Sequence, residues 1–182
     1  MSKYSKIKTG VIGIGSMGQN HVRHYSALSN LIGIADLDEK AGRETAEKYG
    51  ISWFRHHKDL LKEIDAVTIA VPTKYHLDIA EDAAKAGVNI LVEKPLSNNY
   101  KDAEKIVQLS DKYSVNLSVG HIERYNPVTQ YLKNFLGGNK CGRIFSLSSR
   151  RFSPYPARIS DVGVSFDLTM LYPFNGYDLV SD

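Results

Sequence analysis

The chain has 182 residues, 42% hydrophobic and 24% charged, an ordinary water-soluble composition with enough length for a sizeable core and for one domain, or one domain and part of another. A net charge of +3, with acidic and basic residues interspersed, argues against nucleic acid and membrane surfaces as partners. A single cysteine, Cys141, excludes an intrachain disulfide framework, and no apolar run suits a membrane span or follows the basic start as a signal core, so the expectation is a cytoplasmic protein.

In chain order, the apolar run 7–14 predicts a strand that enters Gly13-Ile14-Gly15-Ser16-Met17-Gly18. Met17, Val22, Tyr25 and Leu28 then share one helical face. Strand, tight turn and helix form a dinucleotide-binding arrangement. Gly13 allows the turn, Gly15 a close approach to a pyrophosphate, and Gly18 close helix packing. The free N–H groups and positive end of the helix attract phosphates. Glycines also mark ordinary turns, so the pattern is weak alone. A second strand, 31–35, ends at Asp36, 18 residues after Gly18. A carboxylate at that interval accepts from a ribose 2′- and 3′-OH and repels a 2′-phosphate, which favours NAD over NADP. Lys40 and Arg43 nearby keep NADP open.

A helix is expected over 39–49 with Gly50 as its stop, then a short strand at 51–54, where Trp53 and Phe54 read as packing. His56 and His57 are adjacent and face opposite ways on an extended segment, so no metal site is read there. Asp59 is a candidate cap for a helix over 60–63. The run 65–71 reads as a buried strand broken by Pro72 and Thr73. A helix over 76–86 and a strand over 88–92 follow, the latter running into Glu93-Lys94-Pro95. Asn99 with Asp102 reads as the cap of a helix with face Ala103, Ile106, Val107 and Ser110, and 115–119 as another strand. Alternating strands and helices predict a parallel sheet with right-handed crossovers, an α/β doubly wound fold whose ligands bind beyond the carboxyl ends of the strands. Beyond His121, Asn126-Pro127 starts a helix with Val128, Tyr131, Leu132 and Phe135 at helical spacing. Alternation over 143–152 predicts a strand with one exposed face.

These motifs, taken in order, resemble the Gfo/Idh/MocA family of NAD(P)-dependent oxidoreductases. The matching stretches are the glycine loop, Ala35-Asp36, Val71-Pro72-Thr73 with His76, Glu93-Lys94-Pro95-Leu96, Gly120 with Arg124-Tyr125-Asn126-Pro127, and Asp161-Val162-Gly163-Val164 with Asp167-Leu168. Glu-Lys-Pro at a strand end is far more specific than the glycines. The resemblance implies a Rossmann domain over 1–122 and the start of an α+β substrate and oligomerisation domain over 123–182. It implies that Gly13, Gly15, Ser16, Met17 and Gly18 hold the pyrophosphate of NAD, and Asp36 and Leu37 the adenosine ribose. Val71, Pro72, Thr73, His76 and His121 would line the cofactor. Glu93 and Lys94 would sit by the nicotinamide, with a cis peptide before Pro95. Lys94, Glu93 and Asp167 are the catalytic candidates.

Lys94 suits the chemistry on physical grounds. Oxidising a secondary alcohol needs a hydride acceptor and a group that takes the hydroxyl proton, and a lysine tuned by burial and neighbours can be that group. Its alternative is a snorkelling surface lysine; its place at a strand end beyond the glycine loop favours the first reading.

The match departs at Leu171, where the resemblance places a histidine, and the expectation is a truncated product, with a shifted frame near residue 170 as one cause and a divergent short tail as the other. The 143–152 strand then needs a partner to cover its apolar face, so association through it, or disorder in the tail, is expected. Arg150, Arg151 and Arg158 fit phosphate pairing of a nucleotide sugar or a solvated strand face. The expected function is hydride transfer between a sugar, cyclitol or nucleotide-sugar hydroxyl and NAD, in a homo-oligomer. The alternative is a dinucleotide-binding module with little turnover. A methyltransferase would leave Glu93-Lys94-Pro95 unexplained.

Overall fold

The computed structural model describes residues 6–137 together with 142, 143, 145 and 146. Among them, six strands build one sheet: β1 Lys8–Ile12, β2 Asn30–Ala35, β3 Ser52–Phe54, β4 Ala66–Ile69, β5 Asn89–Val92 and β6 Leu117–Val119. Their order is β3-β2-β1-β4-β5-β6, every neighbouring pair parallel. The helices are α1 Ser16–Leu28, α2 Glu39–Tyr49, α3 His57–Leu60, α4 His76–Lys85, α5 Tyr100–Tyr113 and α6 Pro127–Gly137. The chain steps outward from β1 to β3, then returns to the other side of β1 at β4, which opens a crevice at the carboxyl ends of those two strands. The fold is the expected Rossmann-type doubly wound sheet.

Successive strand residues point to opposite faces, and the core divides accordingly. Val11 packs with Ile14, Val22, Leu31 and Ile34, whereas Ile12 packs with residues of α3, α4 and α5 such as Leu60, Ala80 and Ile106. The helices are punctuated as their sequences demand. Asp38 accepts from Ala41 N at the start of α2, Asn99 accepts from Asp102 N at the start of α5, and Gly50 ends α2 in the left-handed region at φ +65°.

Some expectations are corrected. Asp59 lies inside α3 and pairs with Lys62, so it caps nothing; the helix starts earlier, at His57, because the main chain already turns there. Val107 is 52% exposed while Leu109 is buried beside the expected Ile106, so the buried face of α5 is centred on Ile106 and Leu109. Leu28, the last residue of α1, is exposed. β1 stops at Ile12 because Gly13 has already turned, at φ +85°.

Contacts divide the chain into two compact units, Met1–Gly120 and His121–Asp182. In the second, Asn126 accepts from Val128 N and opens α6. The expected face of Val128, Tyr131, Leu132 and Phe135 is present and exposed. Most of the expected 143–152 strand lies outside the described residues, as do Arg150, Arg151, Arg158, Asp167 and Leu171.

Candidate functional site

The site is built at the carboxyl edge of the sheet in the first unit. Gly13 N donates to Ala35 O at 2.8 Å, and a Cβ on Gly13 would stand 2.8 Å from Ala70 O in a backbone region that L side chains rarely adopt. A Cβ on Gly18 would overlap the Gly13 carbonyl, so helix α1 packs directly on the loop. At Gly15 a Cβ would meet nothing within 4 Å: the space in front of this glycine is open. Ser16 is exposed and Met17 half-buried beside it. No side chain caps α1, and its first turn carries no acid. Backbone N–H groups, a positive helix end and open space form a donor set that fits a pyrophosphate.

Asp36 bridges this loop to the end of β2. Its Oδ2 accepts from Ile14 N at 2.8 Å and its Oδ1 from Asp38 N at 2.8 Å. A carboxylate has about four acceptor positions, so two stay available for ribose hydroxyls. Trp53 supports the turn: its indole N–H donates to Asp36 O at 3.1 Å. Arg43, which left NADP open in the sequence, is held by Glu39 at 2.8 Å and lies over the Trp53 ring. Leu37 is 72% exposed next to Asp36.

Beyond β4, Pro72 is exposed, Val71 half-buried and Thr73 buried at the start of a 3-10 turn, Thr73–Tyr75. His76 is 1% exposed, with Nε2 2.9 Å from Val71 O and Nδ1 3.2 Å from Leu96 O, so its ring ties together two chain segments of the site. His121 belongs to the second unit, just ahead of its first turn.

The end of β5 runs into Glu93-Lys94-Pro95. Lys94–Pro95 is a cis peptide, and Lys94 is half-buried. The Glu93 side chain is turned inward, and the residue is only 5% exposed. Oε2 accepts from Lys94 N at 3.1 Å, and Oε1 lies 2.7 Å from His21 Nε2. Glu93 thus meets Lys94 through the backbone. One helical turn beyond His21, the Tyr25 hydroxyl meets Thr68 Oγ1 at 2.7 Å. Burial pushes that hydroxyl up, and the Glu93 charge adds to it against the Thr68 hydrogen bond. Sequence reasoning missed His21. Its signal was spacing: it lies three residues after Gly18 and four before Tyr25, on the face they define.

His57, read as no metal ligand, pairs with Asp82 of α4 at 2.9 Å. Among the described residues no helix is long and apolar enough to cross a membrane.

Residues 7–121 match the profile of the GFO_IDH_MocA oxidoreductase family, NAD-binding Rossmann fold. The chain is 35% identical over 162 residues to UDP-N-acetylglucosamine 3-dehydrogenase of Acidithiobacillus ferrooxidans, covering 89% of this chain and 50% of that protein. A solved structure of the Acidithiobacillus ferrooxidans enzyme superposes with a TM-score of 0.69 at 36% identity, covering 71% of this chain and 43% of the other. Scyllo-inositol dehydrogenase from Lactobacillus casei, solved with bound NAD(H) and scyllo-inositol, shares the fold with a TM-score of 0.71 at 24% identity, over 75% of this chain and 42% of the other. The chain spans about half the length of the curated relatives it matches. Glycine loop, Asp36 and Glu93-Lys94-Pro95 fall inside the matched segment, and the chain belongs to the Gfo/Idh/MocA oxidoreductase family, with residues 7–121 as its NAD-binding Rossmann domain.

Proposed function

We propose that this protein transfers a hydride between NAD and a secondary hydroxyl of a sugar, cyclitol or nucleotide sugar, with Lys94 as the group that handles the hydroxyl proton. The observation that carries the proposal is the placement of Lys94: half-buried at the end of β5, next to a cis Pro95, on the same sheet edge as an open glycine loop. The sugar and inositol dehydrogenases it resembles support the substrate class.

In this reading the first turn of α1 binds the pyrophosphate, and Asp36 orients the adenosine ribose and disfavours a 2′-phosphate. Bound NAD supplies the hydride acceptor. Lys94 Nζ orients the substrate oxygen and takes its proton as the C–H bond yields its hydride. Glu93 holds the main chain at Lys94. Asp167 is kept as a further catalytic candidate and His121 as a cofactor-lining one, the domains are 1–122 and 123–182, and the working form would be a cytoplasmic homo-oligomer. A second reading, a nucleotide-binding module with little turnover, is favoured by Leu171, which stands where the resemblance places a histidine.

The test is a titration with NAD and NADP followed by a hydride-transfer assay over sugars, cyclitols and nucleotide sugars. NAD binds more tightly than NADP, and Lys94→Ala lowers turnover by about 10²–10⁴ while NAD still binds, a range typical of a lost general base. Binding without turnover on any substrate favours the module, and failure to bind either nucleotide refutes both readings.

A further inference from the structure

We propose that His21 is a positioning residue for the lysine segment: its imidazole holds the buried Glu93 carboxylate, and that carboxylate holds the backbone of Lys94. The proposal rests on the reading of Lys94 as the reactive lysine. Three observations carry it. Nε2 of His21 lies 2.7 Å from Glu93 Oε1, with side-chain exposures of 15% and 6%. The other carboxylate oxygen accepts from Lys94 N at 3.1 Å. Third, Gly120 closes the far side, where a Cβ would stand 3.0 Å from the carboxyl atoms. The carboxylate is therefore enclosed, with one oxygen directed to α1 and the other to Lys94, the residue that follows it.

The spacing along α1 gives this contact its meaning. Gly18 packs on the Gly13 carbonyl, His21 reaches the end of β5, and Tyr25 reaches Thr68 of β4. One face of one helix thus fixes the glycine loop, the lysine segment and the central strand in a single arrangement. The N-terminus of that helix is the candidate phosphate site. Misplacement of a reacting group by about 1 Å can cost 10²-fold in rate, so a side chain that registers the lysine against the phosphate site governs turnover without touching a reactant. Removing one partner also leaves a buried carboxylate short of a donor, which frees Glu93 to rotate away from Lys94 N.

The test uses the full chain and amide hydrogen exchange read by NMR, with Val67 and Ile69 in β4 as references. In His21→Leu, exchange at Lys94 rises at least about tenfold while the references hold, as expected for loss of a local hydrogen bond. His21→Gln, whose amide N–H can reach the carboxylate, returns Lys94 to near the wild-type rate. If His21→Leu does not fold, His21→Asn takes its place, its amide being too short to reach. In turnover, kcat falls about tenfold in His21→Leu with KM for NAD unchanged, and His21→Gln restores it. An unchanged Lys94 amide, a rise shared by all core amides, or failure of both short variants to fold overturns the proposal in favour of a purely structural pair. Lys94→Ala separates the two ideas. Turnover that survives Lys94→Ala defeats the catalytic reading of the lysine, and the exchange result still decides whether His21 holds the segment.

Discussion

At the residue scale, the glycine loop shows which part of a pattern is physics and which is coincidence. Gly13 and Gly18 are required by the loop itself: one has φ +85° and the other abuts a carbonyl. Gly15 is required by neither, because open space lies before it, and open space there is what a bound pyrophosphate needs. Gly13→Ala should destabilise the fold by about 1–3 kcal/mol, the usual cost of a side chain in a disfavoured backbone region, and weaken NAD binding. Thermal unfolding and a nucleotide titration measure both; an alanine variant of full stability and full affinity would contradict the geometry. Asp36 was legible because a strand end and a fixed interval determine where its carboxylate falls. Glu93 was legible as a motif member and not in orientation. Nothing in Glu93-Lys94-Pro95 tells that its carboxylate turns inward, since the partner is His21, 72 residues earlier in the chain. The enclosure of His76 was not legible for the same reason: its two carbonyl neighbours, Val71 and Leu96, come together only in the folded sheet.

At the element scale, capping chemistry and strand composition were readable because they are local. The Asn99 side chain accepts from Asp102 N and donates to the Asp102 carboxylate, as the order Asn-x-x-Asp suggests. Asn99→Ala should cost about 1 kcal/mol of stability through the lost cap, with nucleotide affinity unchanged. Urea unfolding checks it, and a variant as stable as wild type would contradict the cap. Element ends were less legible. The 65–71 run is mostly apolar, yet β4 spans only Ala66–Ile69, since soon after Ile69 the chain turns at Pro72. Asp59 failed as a cap because one residue pattern, an acid before a leucine pair, serves equally inside a helix with Lys62 three residues on. Helix faces assigned from spacing alone slip in the same way, as Val107 and Leu109 show.

At the scale of the whole molecule, the parallel sheet followed from alternation of strands and helices, and the crevice followed from the reversal of strand order beside β1. Assembly is the part that spacing leaves open. α6 keeps Val128, Tyr131, Leu132 and Phe135 exposed, with Tyr131 and Phe135 stacked at 6.1 Å, and an apolar helical face of that kind is a common contact surface. If the homo-oligomer proposed above forms, sedimentation velocity shows a mass above that of one chain; a monomer at all concentrations would contradict it. The central claim concerns the sheet edge. It is tested most directly by following backbone amide shifts during NAD titration of the wild-type chain. The account predicts that the largest changes fall on residues 13–18, Asp36 and Lys94. Changes confined elsewhere, such as the groove between α4 and α5 bordered by Leu77 and Lys112, or no changes at all, would contradict it.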